Sequence, residues 1–377
     1  MTRTTLIKKS LLAISIASLT SSILVGCSGS SSTTSTVTSD DYNGPGSKWD
    51  LSLKNDGSFH IDHRPDINSA IDYTVDGTYV RETSGFVSLS VTGGTGVNAP
   101  SAGSLAWGLE VPGYAMMLKP VDGDQLIAMV KAGECPTADF DANWVIVKQD
   151  RSGGNADANN AGRDFAGQFH YDFTTGTPSL PVKKALSAGF PGVTGGGIDP
   201  GAVTCQDGIM NIPGAVMYLT SNGGAIVHTD GGSPSDETDD SFIFGLGQKT
   251  ITNVNEADGQ YAGMLFDASS PSGSKIQPVS LNCTSGTCLG TIVTDVTTGA
   301  LSSDSVTVTL SGSVNDIGGT GMNGFMTGTI DDGLGGTGNM ICMVDPDAIG
   351  SGKKIVSCVG QSPGDTNDMF NVLFVSI

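Results

Sequence analysis

Few side chains in this sequence of 377 residues stand at spacings that could do chemistry. His60-Ile61-Asp62-His63, with Asp66 three residues on, gathers metal-capable groups most densely. Along a strand, successive side chains face opposite ways, so His60 and Asp62 share one face while His63 joins Ile61 on the other. The two imidazoles diverge, and a zinc site would lack converging ligands. Asp157, Asn159 and Gly162 fall where a calcium loop begins and turns, but Ala161 and Gln168 stand at two further ligand positions, so two expected ligands are missing. Asp236, Glu237, Asp239 and Asp240 form the densest acidic run and read as a solvated turn. Ser-x-x-Lys occurs from Ser272 to Lys275 and from Ser351 to Lys354, both times in Gly-bearing stretches with no helix to set hydroxyl against amine. Gly195-Gly196-Gly197 and Gly335-Gly336 lack the strand-to-helix setting of a phosphate loop and read as turns. Met116-Met117 and Met340 with Met343 read as core fillers and not as copper ligands. The sequence thus predicts no catalytic residue, no metal site and no cofactor.

Cysteine is the residue type with chemistry to explain, and there are seven. Cys27 closes Leu24-Val25-Gly26-Cys27, after Arg3, Lys8 and Lys9 and an apolar run from about Leu11 to Leu24. A basic start, a short apolar stretch and small residues before a cut describe a secretory signal. The segment resembles a bacterial lipoprotein signal peptide, with Leu24, Val25, Gly26 and Cys27 filling its lipobox. That resemblance implies cleavage after Gly26, lipidation of Cys27 and attachment of the mature chain to a membrane through its amino-terminal lipid. Ser28, next after the lipidated residue, implies the outer membrane, facing either the periplasm or the cell surface. Acyl chains stabilise such attachment by about 0.8 kcal/mol per buried methylene, and two chains suffice. No later segment offers the roughly 18 apolar residues in a row that a spanning helix needs.

Six cysteines remain, an even number that suits disulfides in an oxidising compartment. Cys283 and Cys288 enclose Thr-Ser-Gly-Thr, a turn-like spacer, and could staple a hairpin. Cys342 and Cys358 lie on two runs that read as neighbouring strands, which leaves Cys135 with Cys205 by elimination.

Removing residues 1–26 takes away three of the 18 Lys+Arg and no acid, leaving 15 basic residues against 38 acidic ones. Such a surface repels phosphate backbones, so nucleic acid is excluded as a partner. Charged residues make up 15% of the chain and glycines number 54, a balance of low charge and many turns that favours short strands. Residues 27–45 read as a flexible Ser/Thr/Gly tether, unable to bury enough apolar surface to order itself.

Past the tether a pattern recurs. Val111-Pro112-Gly113-Tyr114-Ala115-Met116-Met117-Leu118 returns as Ile212-Pro213-Gly214-Ala215-Val216-Met217-Tyr218-Leu219, and more loosely as Gly338-Asn339-Met340-Ile341-Cys342-Met343. Each copy is followed by a Gly-bearing turn, a second apolar run, a polar loop with a proline, and a final run at Trp144-Val145-Ile146-Val147, Phe242-Ile243-Phe244 or Phe370–Val375. The reading is three β units at 46–150, 162–249 and 250–377, with a linker at 151–161 between the first two; the second and third could pack as one domain. Strands are expected in the first unit at about 48–54, 58–63, 71–75, 78–82, 86–91, 104–110, 114–119, 125–130 and 143–148, with Asn55-Asp56-Gly57 and Asp76-Gly77 as hairpin turns.

The fold class expected is all-β: tandem small antiparallel up-and-down barrel-like units, or β-sandwiches from the same strands, with little helix outside the signal. Trp49, Asp56-Gly57-Ser58-Phe59 and Gly77-Thr78-Tyr79 resemble small lipocalin-like barrels over residues 46–90, with one extra residue between Gly46 and Trp49. The function expected is a lipid-anchored envelope protein with a structural, adhesive or ligand-binding role, its partner an envelope macromolecule or a small apolar ligand. A carrier of lipocalin type is one alternative. A hydrolase of envelope glycan or lipid that uses paired carboxylates is the other.

Overall fold

The computed structural model describes residues 37–44, 48–65, 69–111, 113–122, 125–131, 134–148, 164–185, 192–195, 203–212, 215–220, 224–229, 241–267, 276–311, 323–363 and 365–377. These residues build three antiparallel sheets and contain no α-helix. The first sheet is a closed barrel of eight strands in up-and-down order: β1 (Ser39–Asn43), β2 (Trp49–Lys54), β3 (Ser58–His63), β4 (Tyr73–Arg81), β5 (Val87–Thr95), β6 (Leu105–Val111), β7 (Ala115–Pro120) and β8 (Ile127–Lys131). β1 closes the ring by pairing with both β2 and β8. Alternation makes the wall: β2 buries Trp49, Leu51 and Leu53, and β3 buries Phe59, Ile61 and His63.

Residues 39–43, taken above with the tether, form β1. Tyr42 is fully buried and its hydroxyl donates to Glu110 at 2.8 Å, so one aromatic draws this polar stretch into the sheet. Asp76-Gly77, taken as a hairpin turn, lies inside β4. The ladder to β5 shifts register there, and a Cβ on Gly77 would fall 2.4 Å from the Phe59 ring and 2.2 Å from the Ser90 carbonyl oxygen. The glycine permits a close approach at a bulge and not a chain reversal.

The middle sheet has nine strands: β9 (Phe140–Lys148), β10 (Asp164–Asp172), β11 (Thr177–Ala185), β12 (Gly192–Gly195), β13 (Cys205–Gln206), β14 (Ile209–Ile212), β15 (Ala215–Leu219), β16 (Ala225–Thr229) and β17 (Ser241–Gly247). Its order is β12-β11-β10-β9-β17-β16-β15-β14-β13, open at both edges among the described residues, where a barrel or sandwich was expected. The reason lies with β9. β8 has already found β1, so β9, counted above with the first unit, is left to pair with β10 and β17 as an interior strand of the next sheet.

The third sheet is again a closed eight-stranded barrel: β18 (Gly259–Asp267), β19 (Ile276–Thr284), β20 (Thr287–Asp295), β21 (Ala300–Leu310), β22 (Phe325–Asp331), β23 (Thr337–Asp345), β24 (Ile355–Ser362) and β25 (Asp365–Ser376). β25 closes it on β18. The recurring segments at Val111, Ile212 and Gly338 fall on the hairpins β6–β7 and β14–β15 and on β23, each at the same step of a meander. They differ in where the last strand goes: β9 leaves its barrel, β17 pairs with β9, and β25 closes a ring.

The largest core lies between the sheets, where outward faces of both barrels meet the middle sheet through Trp107, Met117, Val145, Phe244, Met264 and Leu373. Tyr114, in the β6–β7 turn, is fully buried and donates its hydroxyl to the Gly245 carbonyl; burial pushes its pKa up. A Cβ on Gly224 would lie 1.8 Å from that ring, so glycine makes room for the knob. The β4–β5 turn meets the second barrel directly. Ser84 Oγ donates to the Val296 carbonyl at 2.5 Å, and Gly85, at φ +88°, sits where a Cβ would strike Ile377 and Ala262.

Candidate functional site: the apolar interior of the second barrel

The interior of the second barrel is built by plain alternation. β19 buries Val279, Leu281 and Cys283 and turns Asn282 and Thr284 to solvent. From the facing strands, Val308, Ile330, Met340, Val356, Phe370 and Phe374 point inward. Two glycines hold the wall thin beside the rings: a Cβ on Gly263 would lie 2.2 Å from Phe374, and one on Gly360 would lie 2.5 Å from Phe370. With most filler aliphatic, a cavity of about 410 Å³ remains, within the range of pockets that take small ligands.

One end of this barrel is closed. The segment ahead of β18 folds into a short 3-10 turn, Val254–Ala257, capped by Asn253, whose side chain accepts from the Asn255 amide. Ile251, Ala257 and Tyr261 are fully buried there, and the Tyr261 hydroxyl donates to the Ala257 carbonyl at 2.7 Å. Asp258 fastens this floor to the wall: its carboxylate accepts from the amides of Ser285 and Gly286, and its carbonyl accepts from Lys354 Nζ at 2.6 Å. Burial raises the Glu256 pKa, but hydrogen bonds from Thr252 and the Asn253 amide outweigh it, and the net direction is down. At the other end the cavity is lined by Asp267, Asp304, Asp332, Leu334 and Ser362, at or near the far ends of the strands.

Both short-range disulfides face this interior. Cys283 and Cys288 are register partners on β19 and β20, as are Cys342 and Cys358 on β23 and β24, and all four line the cavity. Cys135, ahead of β9, is bonded to Cys205 in β13, a span of 70 residues. Closing so long a loop constrains the unfolded chain by about 4 kcal/mol, against about 2 kcal/mol for a five-residue span.

The first barrel encloses a different interior. Tyr42, Trp49, Leu51, Phe59, Met116 and Met129 fill it. Glu110, buried, takes the Tyr42 hydroxyl and a two-pronged contact from Arg81, Nε at 2.5 Å and Nη2 at 2.7 Å. Asp40 lies 3.5 Å from both Arg81 and Lys131. Burial, with Glu110 adding to it, holds the Tyr42 pKa well above its ordinary value.

Other residues singled out from the sequence disperse. His60 sits on the outer face with Nδ1 2.7 Å from Asp76 and Nε2 3.1 Å from Asp62, and the Asp76 bond raises its pKa. His63 points inward, stacked on Tyr73 at 4.2 Å and bonded to Asp72 at 2.7 Å. No three metal-capable side chains converge among the described residues. Asp66, Asp157, Asn159, Gly162, Ser272, Lys275 and the run Asp236–Asp240 lie outside the described residues, as does Cys27. Lys354 of the second Ser-x-x-Lys holds the barrel floor instead of facing Ser351. Met116 and Met340 fill the two barrels, while Met117 and Met343 turn to the core between the sheets. Gly335 and Gly336 belong to the β22–β23 turn, where the Gly336 amide donates to Asp332. The Glu110–Arg81 pair was not singled out, though a lone Glu inside Leu109-Glu110-Val111 is a signal for a buried, partnered carboxylate. Among the described residues no helix is long and apolar enough to cross a membrane.

No family model and no curated protein matches the chain. Solved structures similar to it include isotype 1 transferrin binding protein B from serogroup B Neisseria meningitidis, at 12% identity and a TM-score of 0.24. A mutant of the vaccine antigen transferrin binding protein B from Haemophilus parasuis is similar at 11% identity and a TM-score of 0.25. Each likeness covers 87% of this chain and 65% of the other, so the chain spans less than two thirds of the length of those proteins. Neither likeness assigns a function to it.

Proposed function

We propose that this chain is an envelope protein, anchored through lipidated Cys27 at the outer membrane, whose second barrel carries a small apolar ligand. The observation that supports the reading is the apolar cavity of about 410 Å³ inside a barrel with a fastened floor. The cavity's carboxyls lie toward the open end and its depth is apolar, an arrangement suited to carriage more than to acid–base work. Asp345, the carboxyl whose pKa burial raises, is not among the residues that line it. Displacement of the fluorophore N-phenylnaphthylamine from the full chain tests the reading. Saturable binding at one site, abolished by Val306→Phe, supports it; binding that is absent, or unchanged in the variant, overturns it. Cys27→Ala should release the chain from the membrane fraction, and retention there defeats the anchor.

A second reading, macromolecular docking, is favoured by the first barrel. Ile71, Val97, Leu105 and Val121, exposed by 43 to 100%, belong to the end bearing the β3–β4, β5–β6 and β7–β8 connections. β1 enters the barrel from the opposite end, so these apolar side chains stand at the end away from the entry of the first strand. Loss of envelope-partner crosslinking in Val97→Glu with Leu105→Glu, with melting unchanged, supports that role; unchanged crosslinking removes it.

A further inference from the structure

We propose that the second barrel selects amphiphiles with a cationic head group, the chain inside and the head at the mouth. This rests on the carrier reading above and adds the class of ligand. The lining is divided along the barrel axis. Deep residues such as Leu281, Val308 and Leu310 are apolar, while Asp267, Asp304 and Asp332 line the other end. No Lys, Arg or His is among the described residues of the lining. A carboxylate or phosphate head seated there would meet Asp304 and Asp332 with no cation among the described lining residues, whereas an ammonium head would meet opposite charge. The whole chain adds to this, with a net charge of −20 that draws cations toward it.

The β22–β23 turn carries a second observation. Asp331 accepts from the Gly333 amide, and Asp332 accepts from the amides of Leu334 and Gly336, with Gly333 at φ +72° and Gly335 at φ +96°. These bonds fix a turn that holds Leu334 91% exposed while it lines the mouth. An apolar side chain held in water beside a carboxylate offers an amphiphile both of its contacts at one place: methylenes on Leu334, charge on Asp332. Asp304 lies in the lining beside Ser305 and presents charge without a turn to maintain.

The experiment compares decyltrimethylammonium, decanol and decanoate, one chain with three heads, as competitors for N-phenylnaphthylamine on the full chain, each below its micellar concentration. Decyltrimethylammonium should bind on the order of tenfold tighter than decanol, decanoate should bind weakest, and added salt should shrink the difference. Asp304→Asn with Asp332→Asn should bring the ammonium compound most of the way to the affinity of decanol and leave decanol unchanged. Asp304→Asn alone, which spares the turn, should remove part of the preference. Equal affinity for all three heads, or decanoate binding tightest, overturns the head-group inference while the carrier reading stands. Binding of none of the three overturns both.

Discussion

The two barrels share strand number, direction and order, yet one is a core and the other a container. Eight strands enclose an interior just wide enough either for side chains to fill or for one small ligand. In the first barrel Trp49, Phe59 and Tyr42 occupy that width, and the Glu110–Arg81 pair adds charge-assisted bonds at one end. In the second, Phe370 and Phe374 are the rings of a lining otherwise made mostly of aliphatic side chains, methionine and half-cystines, and about 410 Å³ is left over. Side-chain volume, and not topology, separates the two outcomes. Unfilled volume forfeits dispersion contacts, and the two interior disulfides link neighbouring strands of the wall around it. The floor follows the same logic. Glu256 accepts from the amides of Thr252 and Asn253 and so shapes the Val254–Ala257 segment from within, while Asp258 ties it to the β19–β20 turn through the amides of Ser285 and Gly286.

The contrast breaks most visibly under truncation. Leu51→Ala in the filled barrel should cost about 2–5 kcal/mol in urea unfolding, because its neighbours cannot collapse into the gap. Val306→Ala, at the edge of the cavity, should cost about 1 kcal/mol or less, and equal losses would show the second barrel to be as tightly packed as the first. Glu110→Gln tests the charged end of the first barrel. Arg81 is partly exposed and keeps water, so the expected loss is about 1–2 kcal/mol, read from the shift in urea midpoint at constant slope. Val306→Phe should leave the unfolding midpoint within about 0.5 kcal/mol while removing probe binding, since it fills empty volume instead of displacing packed atoms. The smallest effect belongs to pH. His60, bonded to Asp76 and Asp62, titrates above its ordinary value of 6.5. Its contribution to stability is fully present below the unfolded value and is lost as pH rises through the folded one. Imidazole resonances should show a raised midpoint that Asp76→Asn returns toward the ordinary value, and an unshifted midpoint in the parent would remove the bond from solution.

Much of the architecture was legible because strands announce themselves locally. Alternation at Trp49-Asp50-Leu51-Ser52-Leu53, the Asp56-Gly57 turn and the recurring hairpin at Val111 and Ile212 are read over a few residues, and β2, β3 and the hairpins β6–β7 and β14–β15 stand where that pattern puts them. Asp76-Gly77 misled for a physical reason. The dipeptide suits both a turn and a bulge, and only the Phe59 ring lying over it decides between them. β1 was hidden because Ser39-Asp40-Asp41-Tyr42-Asn43 carries a single apolar residue, and its place depends on β8 and Glu110, both far along the chain. The site was the least legible part. A cavity is a remainder, set by what eight strands fail to fill, and no short window of residues records it.

The sequence by itself determined an acidic all-β chain with a lipobox-like start and a thrice-written hairpin, since composition, charge and period-2 alternation are properties of neighbouring residues. Tertiary structure alone decided that β8 would close on β1 and so release β9, that the middle sheet would stay open among the described residues, and which ring would enclose the cavity of about 410 Å³. Closure and volume depend on contacts between residues tens to hundreds apart, where the final strand's partner is a competition between distant edges.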